Sequence, residues 1–256
     1  MKNIRQMAKL YFKLRNYTIY MRLILICFIF FSLTAIANEA YRVYDYHSKL
    51  DTKGVATPTV FILDYSNSMN ERILGESKFA ILSRCFNRLV SQIPDDMPVG
   101  VRVYGHRWGF TNYDACKASV RVEGVNKYNR EAITQKLTKY KPRGMTPITY
   151  SLKETIKNDF VDDREPKHIV LVTDGGENCN ESPCDYVMEL IKTRRDISID
   201  VIAINMRNSD DLDQLRCTAD VTSGKLYEIK SEGQLIRGLN NALNSRKEVE
   251  GKILTH

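Results

Sequence analysis

Residues 59–68 read Thr59-Val60-Phe61-Ile62-Leu63-Asp64-Tyr65-Ser66-Asn67-Ser68. The run Thr59 to Leu63 is apolar or β-branched without alternation, the pattern of a strand covered on both faces, and it stops at an aspartate. Asp64, Ser66 and Ser68 then place small oxygen-bearing side chains on alternate residues. Where a chain turns over the end of a strand, that spacing can aim all three at one point.

The flanking sequence alternates strands and helices. Residues 77–93 carry Phe79, Leu82, Phe86, Leu89 and Ile93 on one helical stripe. Residues 99–104 read as a second strand and 118–122 as a third, after an irregular loop rich in aromatics from Trp108 to Tyr113. Residues 130–140 form a short helix. Thr146 and Pro147 open another, reaching about Phe160, with Thr146 as N-cap and Pro147 in the first helical position. His168 begins a second buried-type strand that ends at Asp174. Ser182-Pro183-Cys184-Asp185 starts a helix through Arg195. A strand over 199–204, a helix over 209–222, a strand over 225–229 and a last helix capped by Ser231 and Gln234 complete the pattern. This alternation predicts an α/β fold: a Rossmann-like, doubly wound, mostly parallel sheet with helices on both faces. Such sheets gather ligands at the carboxyl ends of their strands, which is where Asp64 and Asp174 both fall.

Asp64, Ser66, Ser68, Thr146 and Asp174 make a set of two carboxylates and three hydroxyls, without thiolate or imidazole. Hard oxygen donors of this kind suit Mg²⁺, Mn²⁺ or Ca²⁺ and suit Zn²⁺ poorly. On these residues the sequence resembles a von Willebrand factor type A (vWA) domain with a metal-ion-dependent adhesion site (MIDAS), and Tyr104-Gly105-His106-Arg107 with the Cys179–Pro183–Cys184 loop resembles its secreted bacterial type. That family's pattern is Asp-x-Ser-x-Ser after the first strand, a Thr in a later loop and an Asp after the fourth strand. Here these are Asp64, Ser66 and Ser68, then Thr146 within Gly144-Met145-Thr146-Pro147, then Asp174 within Thr173-Asp174-Gly175. The resemblance covers roughly residues 57–245. It implies that Ser66, Ser68 and Thr146 meet the metal directly or through water, with Asp64 and Asp174 supplying charge. It also implies a non-enzymatic binding module whose protein partner offers an acidic residue to the open coordination position.

Around this set, His106 and Arg107 follow the second strand, which should neighbour the first. They form a candidate ligand rim for an anionic group, against a reading in which His106 bonds within its loop and Arg107 is solvated. Glu177 is either a water-mediated neighbour of the ion or a surface glutamate. The aromatics between Trp108 and Tyr113 are expected on a partner surface. His47, His168 and His256 have no supporting partners in sequence, and His168, which starts a strand, is read as structural.

The chain has 256 residues and a net charge of +7, which by itself suggests a polyanionic partner. The distribution removes that suggestion. Residues 1–37 contain six basic residues and no acidic one, followed by an apolar run over 23–33 and an Ala35-Ile36-Ala37 end. This is the layout of a secretory signal peptide, too short for a membrane span of about 20 apolar residues. Met21 is an alternative start, and Ile26 before Cys27 argues against lipidation. Without the leader, 32 basic residues face 31 acidic ones, a net of +1, and no block of Lys and Arg remains to track nucleic acid. The expected organisation is a signal peptide over 1–37, an extended lead-in over 38–56, the domain over 57–245 and a tail over 246–256. The expected location is secreted or periplasmic. If the leader is retained, the protein is instead an inner-membrane-anchored subunit of an envelope complex facing the periplasm, touching the membrane only through that segment.

Export permits disulfides. Cys179 and Cys184 flank a short polar loop and form one candidate pair, with a metal site as the alternative; Cys116 and Cys217 form a second, and Cys85 is read as a buried free thiol. A metal-dependent hydrolase with Asp64 or Ser66 as nucleophile is the competing class. It lacks support, because position 66 is serine where a phosphatase would use a second aspartate, and no Gly-x-Ser-x-Gly or His-Glu-x-x-His motif occurs.

Overall fold

The apolar run that ends in Asp64 forms strand β1 (Thr59–Asp64), buried along its whole length. In this computed structural model the described residues are 57–73, 75–160 and 165–253, with side chains described as far as Asn244. The expectations for residues 1–37 and 38–56 lie outside them. After β1 come a one-turn 3-10 segment (Asn67–Asn70) and a two-residue antiparallel ladder of β2 (Arg72–Ile73) and β3 (Glu76–Ser77). Helix α1 (Lys78–Gln92), β4 (Val99–Tyr104), the short α2 (Asn112–Ala115), β5 (Ser119–Asn126) and α3 (Arg130–Leu137) follow. The second half is α4 (Ile148–Asn158), β6 (Lys167–Thr173), α5 (Pro183–Leu190), β7 (Ile197–Ile204), α6 (Ser209–Val221), β8 (Leu226–Ile229) and α7 (Glu232–Ile253).

The main sheet runs β5-β4-β1-β6-β7-β8, parallel throughout except for β5, which pairs antiparallel to β4 at the edge. The expected doubly wound fold is therefore present. The chain winds outward in one direction from β1 to β4 and in the other from β6 to β8, so the switch point lies between β1 and β6. Crevices open at such points beyond the carboxyl ends of the strands. Asp64 ends β1 and Asp174 directly follows β6.

Alternate β1 residues serve opposite layers. Phe61 and Leu63 pack with Leu82, Phe86 and Leu89 of α1 and with Leu235 and Leu239 of α7. The Phe61 and Phe86 rings meet edge to face at 5.1 Å. Val60 and Ile62 face Ile148 and Leu152 of α4, Val187 of α5 and Leu215 of α6. Each fully buried Leu, Ile or Phe contributes about 1.5–3 kcal/mol relative to exposure, so the sheet is held from both sides. Interior charges are paired: Arg102 of β4 grips Asp159, the residue ending α4, through two bonds of 2.7 Å. His168 lies 3.1 Å from Asp200 on the neighbouring strand, in keeping with its structural reading.

Three expectations need correction. Thr146 is not the N-cap of α4: the helix begins at Ile148, Pro147 occupies the cap position, and no side chain of that position caps it. The helix expected to run to Arg195 stops at Leu190. The cysteine pairs are Cys116–Cys179 and Cys184–Cys217, not Cys179–Cys184 and Cys116–Cys217. Pro183 turns the chain into α5 between Cys179 and Cys184, so Cys184 rides on the first turn of α5 towards α6, while Cys179 stays in the loop beside α2. Cys85 is free and buried as expected, and burial pushes its thiol up to about 12, which keeps it protonated and unreactive.

Candidate functional site

Asp64 lies at the carboxyl end of β1, at the switch point, with 0% exposure. One oxygen accepts the Ser66 N–H at 2.7 Å; the other accepts the Thr173 hydroxyl at 2.9 Å and the Asp174 N–H at 3.3 Å. A buried carboxylate with three donors becomes the anchor that ties the turn after β1 to the end of β6. Burial, and after it the charge of Asp174, push the Asp64 carboxyl up to about 6.

The 3-10 turn bends the chain back over the strand end, and that curvature brings alternate side chains together. The Ser66 and Ser68 hydroxyls lie 2.9 Å apart, and the Ser68 hydroxyl donates to Asp174 Oδ1 at 2.6 Å. Since Ser68 has one proton and gives it to Asp174, the bond between the serines runs from Ser66 to Ser68. The other Asp174 oxygen accepts from Lys78 Nζ at 2.7 Å, and the same ammonium donates to Glu71 at 2.9 Å. Burial works against the Lys78 charge, but its bonds to Asp174 and Glu71 prevail and hold the ammonium above the ordinary lysine range.

Thr146 reaches this cluster on a loop bonded to both neighbours. Ser66 bridges Gly144 in parallel register, the Asn67 N–H donates to the Gly144 carbonyl at 2.9 Å, and the Arg143 N–H donates to the Tyr65 and Gly105 carbonyls. Gly105 makes the approach possible. Its φ is +68°, and a Cβ there would lie 2.6 Å from the Ser66 backbone and the Met145 carbonyl oxygen. On the far side, Asn178 accepts the Thr146 N–H at 2.7 Å. Glu177 caps α4 from outside the helix, one oxygen accepting the Thr149 N–H at 2.7 Å and the other the Cys179 N–H at 2.9 Å. This capping releases Thr146 from the role expected of it. The residue is 4% exposed.

The five residues singled out from the sequence thus lie on three loops bonded to one another at the switch point. The rim residues are engaged elsewhere. Glu177 is neither an exposed glutamate nor turned to Asp174, because both its oxygens cap backbone N–H groups, and burial raises its carboxyl above the usual range. Arg107 folds onto its own loop, bonded to Asp114 at 2.8 Å and to the Trp108 carbonyl at 3.2 Å, with its side chain still 41% exposed, so it is solvated but already paired with an anion. His106 packs edge-on against Tyr140 at 5.2 Å; burial, then the Arg107 charge, push it down to about 4, leaving a neutral ring at pH 7. Trp108, Phe110 and Tyr113 are exposed as expected, on the loop fastened to the site by Cys116–Cys179.

Sequence reasoning missed Lys78, Asn178 and Thr173. Lys78 carried a legible signal: a lysine in the first helical position opposes the helix dipole, so a compensating anion had to be near. Asn178 and Thr173 carried none. Among the described residues no cluster of three or more His, Cys, Asp or Glu forms a candidate metal site.

Comparison with known proteins agrees with this architecture. The sequence model of the von Willebrand factor type A domain matches residues 59–242. The chain is 29% identical over 214 residues to YwmC of Bacillus subtilis (strain 168), covering 80% of this chain and 88% of that protein. It is 28% identical over 158 residues to YwmD of the same organism, covering 60% and 70%. An aerotolerance-related membrane protein from Bacteroides fragilis NCTC 9343 superposes with a TM-score of 0.57 at 15% identity, over 74% of this chain and all of that one. Proximal thread matrix protein 1 from the mussel byssus, with a zinc-occupied MIDAS motif, gives 0.57 at 18% identity over 75% of this chain and 46% of its own. At these identities the two structures show a shared fold.

Proposed function

Because the chain belongs to the von Willebrand factor type A domain family, commonly protein-interaction modules, we propose that it is an exported, non-enzymatic binding protein that engages a partner through a divalent cation. Asp64, Ser66, Ser68, Thr146 and Asp174 would hold the ion, Mg²⁺ foremost, with Mn²⁺ and Ca²⁺ as alternatives. The observation that carries this reading is the chain of Ser66, Ser68 and Asp174 oxygens at the switch point, with the loop of Thr146 tied to the same turn through Gly144. Hydroxyl oxygens gathered beside two carboxylates, without thiolate or imidazole, fit an oxygen-seeking cation. When bound, the ion supplies an electrophilic position for an acidic group of the partner protein.

The chain's own residues prepare that position. Asp64 fixes the Ser66 backbone, Glu177 and Asn178 fix the loops around Thr146, and Gly105 lets the loops close. The Ser66 hydroxyl meets another hydroxyl and Asp64 is enclosed by three donors; the Ser68 hydroxyl does donate to Asp174, but Lys78 holds that carboxylate's other oxygen and makes it a weak base. Export is supported by two disulfides joining separate elements, and among the described residues no helix is long and apolar enough to cross a membrane.

Calorimetric titration with Mg²⁺ and Mn²⁺, followed by capture of envelope proteins with and without chelator, tests this reading. Ser68→Ala is the informative variant, since it removes a donor without stranding the Lys78 charge. Metal binding and metal-dependent capture are expected to be lost together in Ser68→Ala. Capture that persists unchanged in chelator would sink the metal-bridged mode, and competition with Zn²⁺ determines the ion.

A further inference from the structure

Lys78 is the first residue of α1, yet it is 4% exposed and its charge opposes the helix dipole. Nothing in the helix calls for a lysine here, so its reason lies in what it touches. Its Nζ is 2.7 Å from Asp174 Oδ2 and 2.9 Å from Glu71 Oε2; the Asp174 side chain is wholly buried, whereas that of Glu71 is 56% exposed. The two Asp174 oxygens are therefore divided, Oδ1 facing the serine hydroxyls and Oδ2 the ammonium.

We propose that Lys78 is a resident cation of this site. It stays on Asp174 and holds divalent-ion affinity down, so that a bound ion depends on the partner's carboxylate. The inference rests on the metal-centre reading above and adds the residue that tunes it. Charge bookkeeping supplies the reason. Asp64, Asp174 and Lys78 sum to one negative charge, so a divalent ion bound among them keeps a net positive charge and attracts an anion. Without Lys78 the two carboxylates would neutralise the ion, and a partner's carboxylate would gain little by approaching. Glu71, on the solvent side, is screened and offsets the ammonium only partly. The same ammonium compensates Asp174 when no ion is present. Lys78 thus keeps the empty site assembled and the filled site electrophilic.

Mn²⁺ titration and thermal unfolding in chelator, on the full chain and its Lys78→Met, Lys78→Arg and Glu71→Gln variants, test the proposal. Lys78→Met should melt several degrees lower in chelator, because it strands the buried Asp174 charge. It should bind Mn²⁺ at least about tenfold more tightly, because a nearby positive charge is gone. Lys78→Arg should stay close to the parent. Glu71→Gln should bind Mn²⁺ about twofold more weakly, since the ammonium loses its exposed partner. A positioning role alone would weaken Mn²⁺ binding in Lys78→Met, so unchanged or weaker binding there overturns the proposal and leaves the metal-centre reading standing. Should Lys78→Met not fold, unchanged or tighter binding in Glu71→Gln overturns it instead. Absence of Mn²⁺ binding in both the parent and Lys78→Met overturns both.

Discussion

The Cys116–Cys179 bridge links the aromatic loop after β4 to the loop carrying Asp174, Glu177 and Asn178, and its removal tests how the site is held. It closes a segment of 63 residues, against 33 for Cys184–Cys217. The chain-entropy relation assigns about 4.3 kcal/mol to the first and about 3.7 kcal/mol to the second, nearly equal values. Their effects on the site should not be equal. Cys179 donates its N–H to Glu177, which caps α4, and Asn178 beside it holds the Thr146 N–H. Cys184–Cys217 joins α5 to α6 and makes no such bond. In urea titrations the double variants Cys116→Ala/Cys179→Ala and Cys184→Ala/Cys217→Ala should each lose about 4 kcal/mol. In Mn²⁺ titrations only the first should weaken, by about tenfold, as when a supporting shell of a metal site is removed. Equal Mn²⁺ affinity in the two variants, or a non-reducing peptide map joining Cys179 to Cys184, would refute the reasoning. Together the bridges amount to roughly 8 kcal/mol, comparable to the whole stability of a typical domain, so a reducing compartment should leave this fold marginal.

Other perturbations probe separate parts of the argument. Asp64 is raised from 3.8 to about 6, so the folded chain keeps a proton that the unfolded chain releases. Its contribution to stability is full below about pH 4 and is lost as pH rises through about 6. Urea midpoints in chelator should show Asp64→Asn gaining on the parent between pH 4.5 and 7, by about 2 kcal/mol; a constant difference would contradict the assignment. Arg102→Met strands buried Asp159 and should cost about 3 kcal/mol in denaturant titration, the low end for a broken buried pair. Arg121 is already 3.9 Å from that carboxylate and can approach. Gly105→Ala should destabilise by about 2 kcal/mol or more, and should also weaken Mn²⁺ binding, because the new Cβ meets the Ser66 backbone. Thermal melts and the same titration check both effects.

Much of this was legible in the sequence because it depends on local chemistry. Unbroken apolar strands require cover on both faces, and the stripe from Phe79 to Ile93 supplies it on one. The small ladder of β2 and β3 escaped notice because two residues carry no period. The end of α5 at Leu190 was misjudged because helix ends are set by packing as much as by propensity. The misreading of Thr146 has a sharper cause. Thr-Pro is a sound local signal for a helix start, but Glu177, distant in sequence, takes over the capping.

The sequence by itself determined the order of strands and helices, and the oxygen-rich character of residues 64–68, 146 and 174, because side-chain period and donor chemistry belong to each segment. Tertiary structure alone decided which groups meet. The cysteine partners, the Glu177 cap on α4, the quenching of Arg107 by Asp114 and the seat of Lys78 on Asp174 all join residues through space. Such pairings depend on where the sheet's switch point brings loops together, and a linear pattern of residues does not encode distances across it.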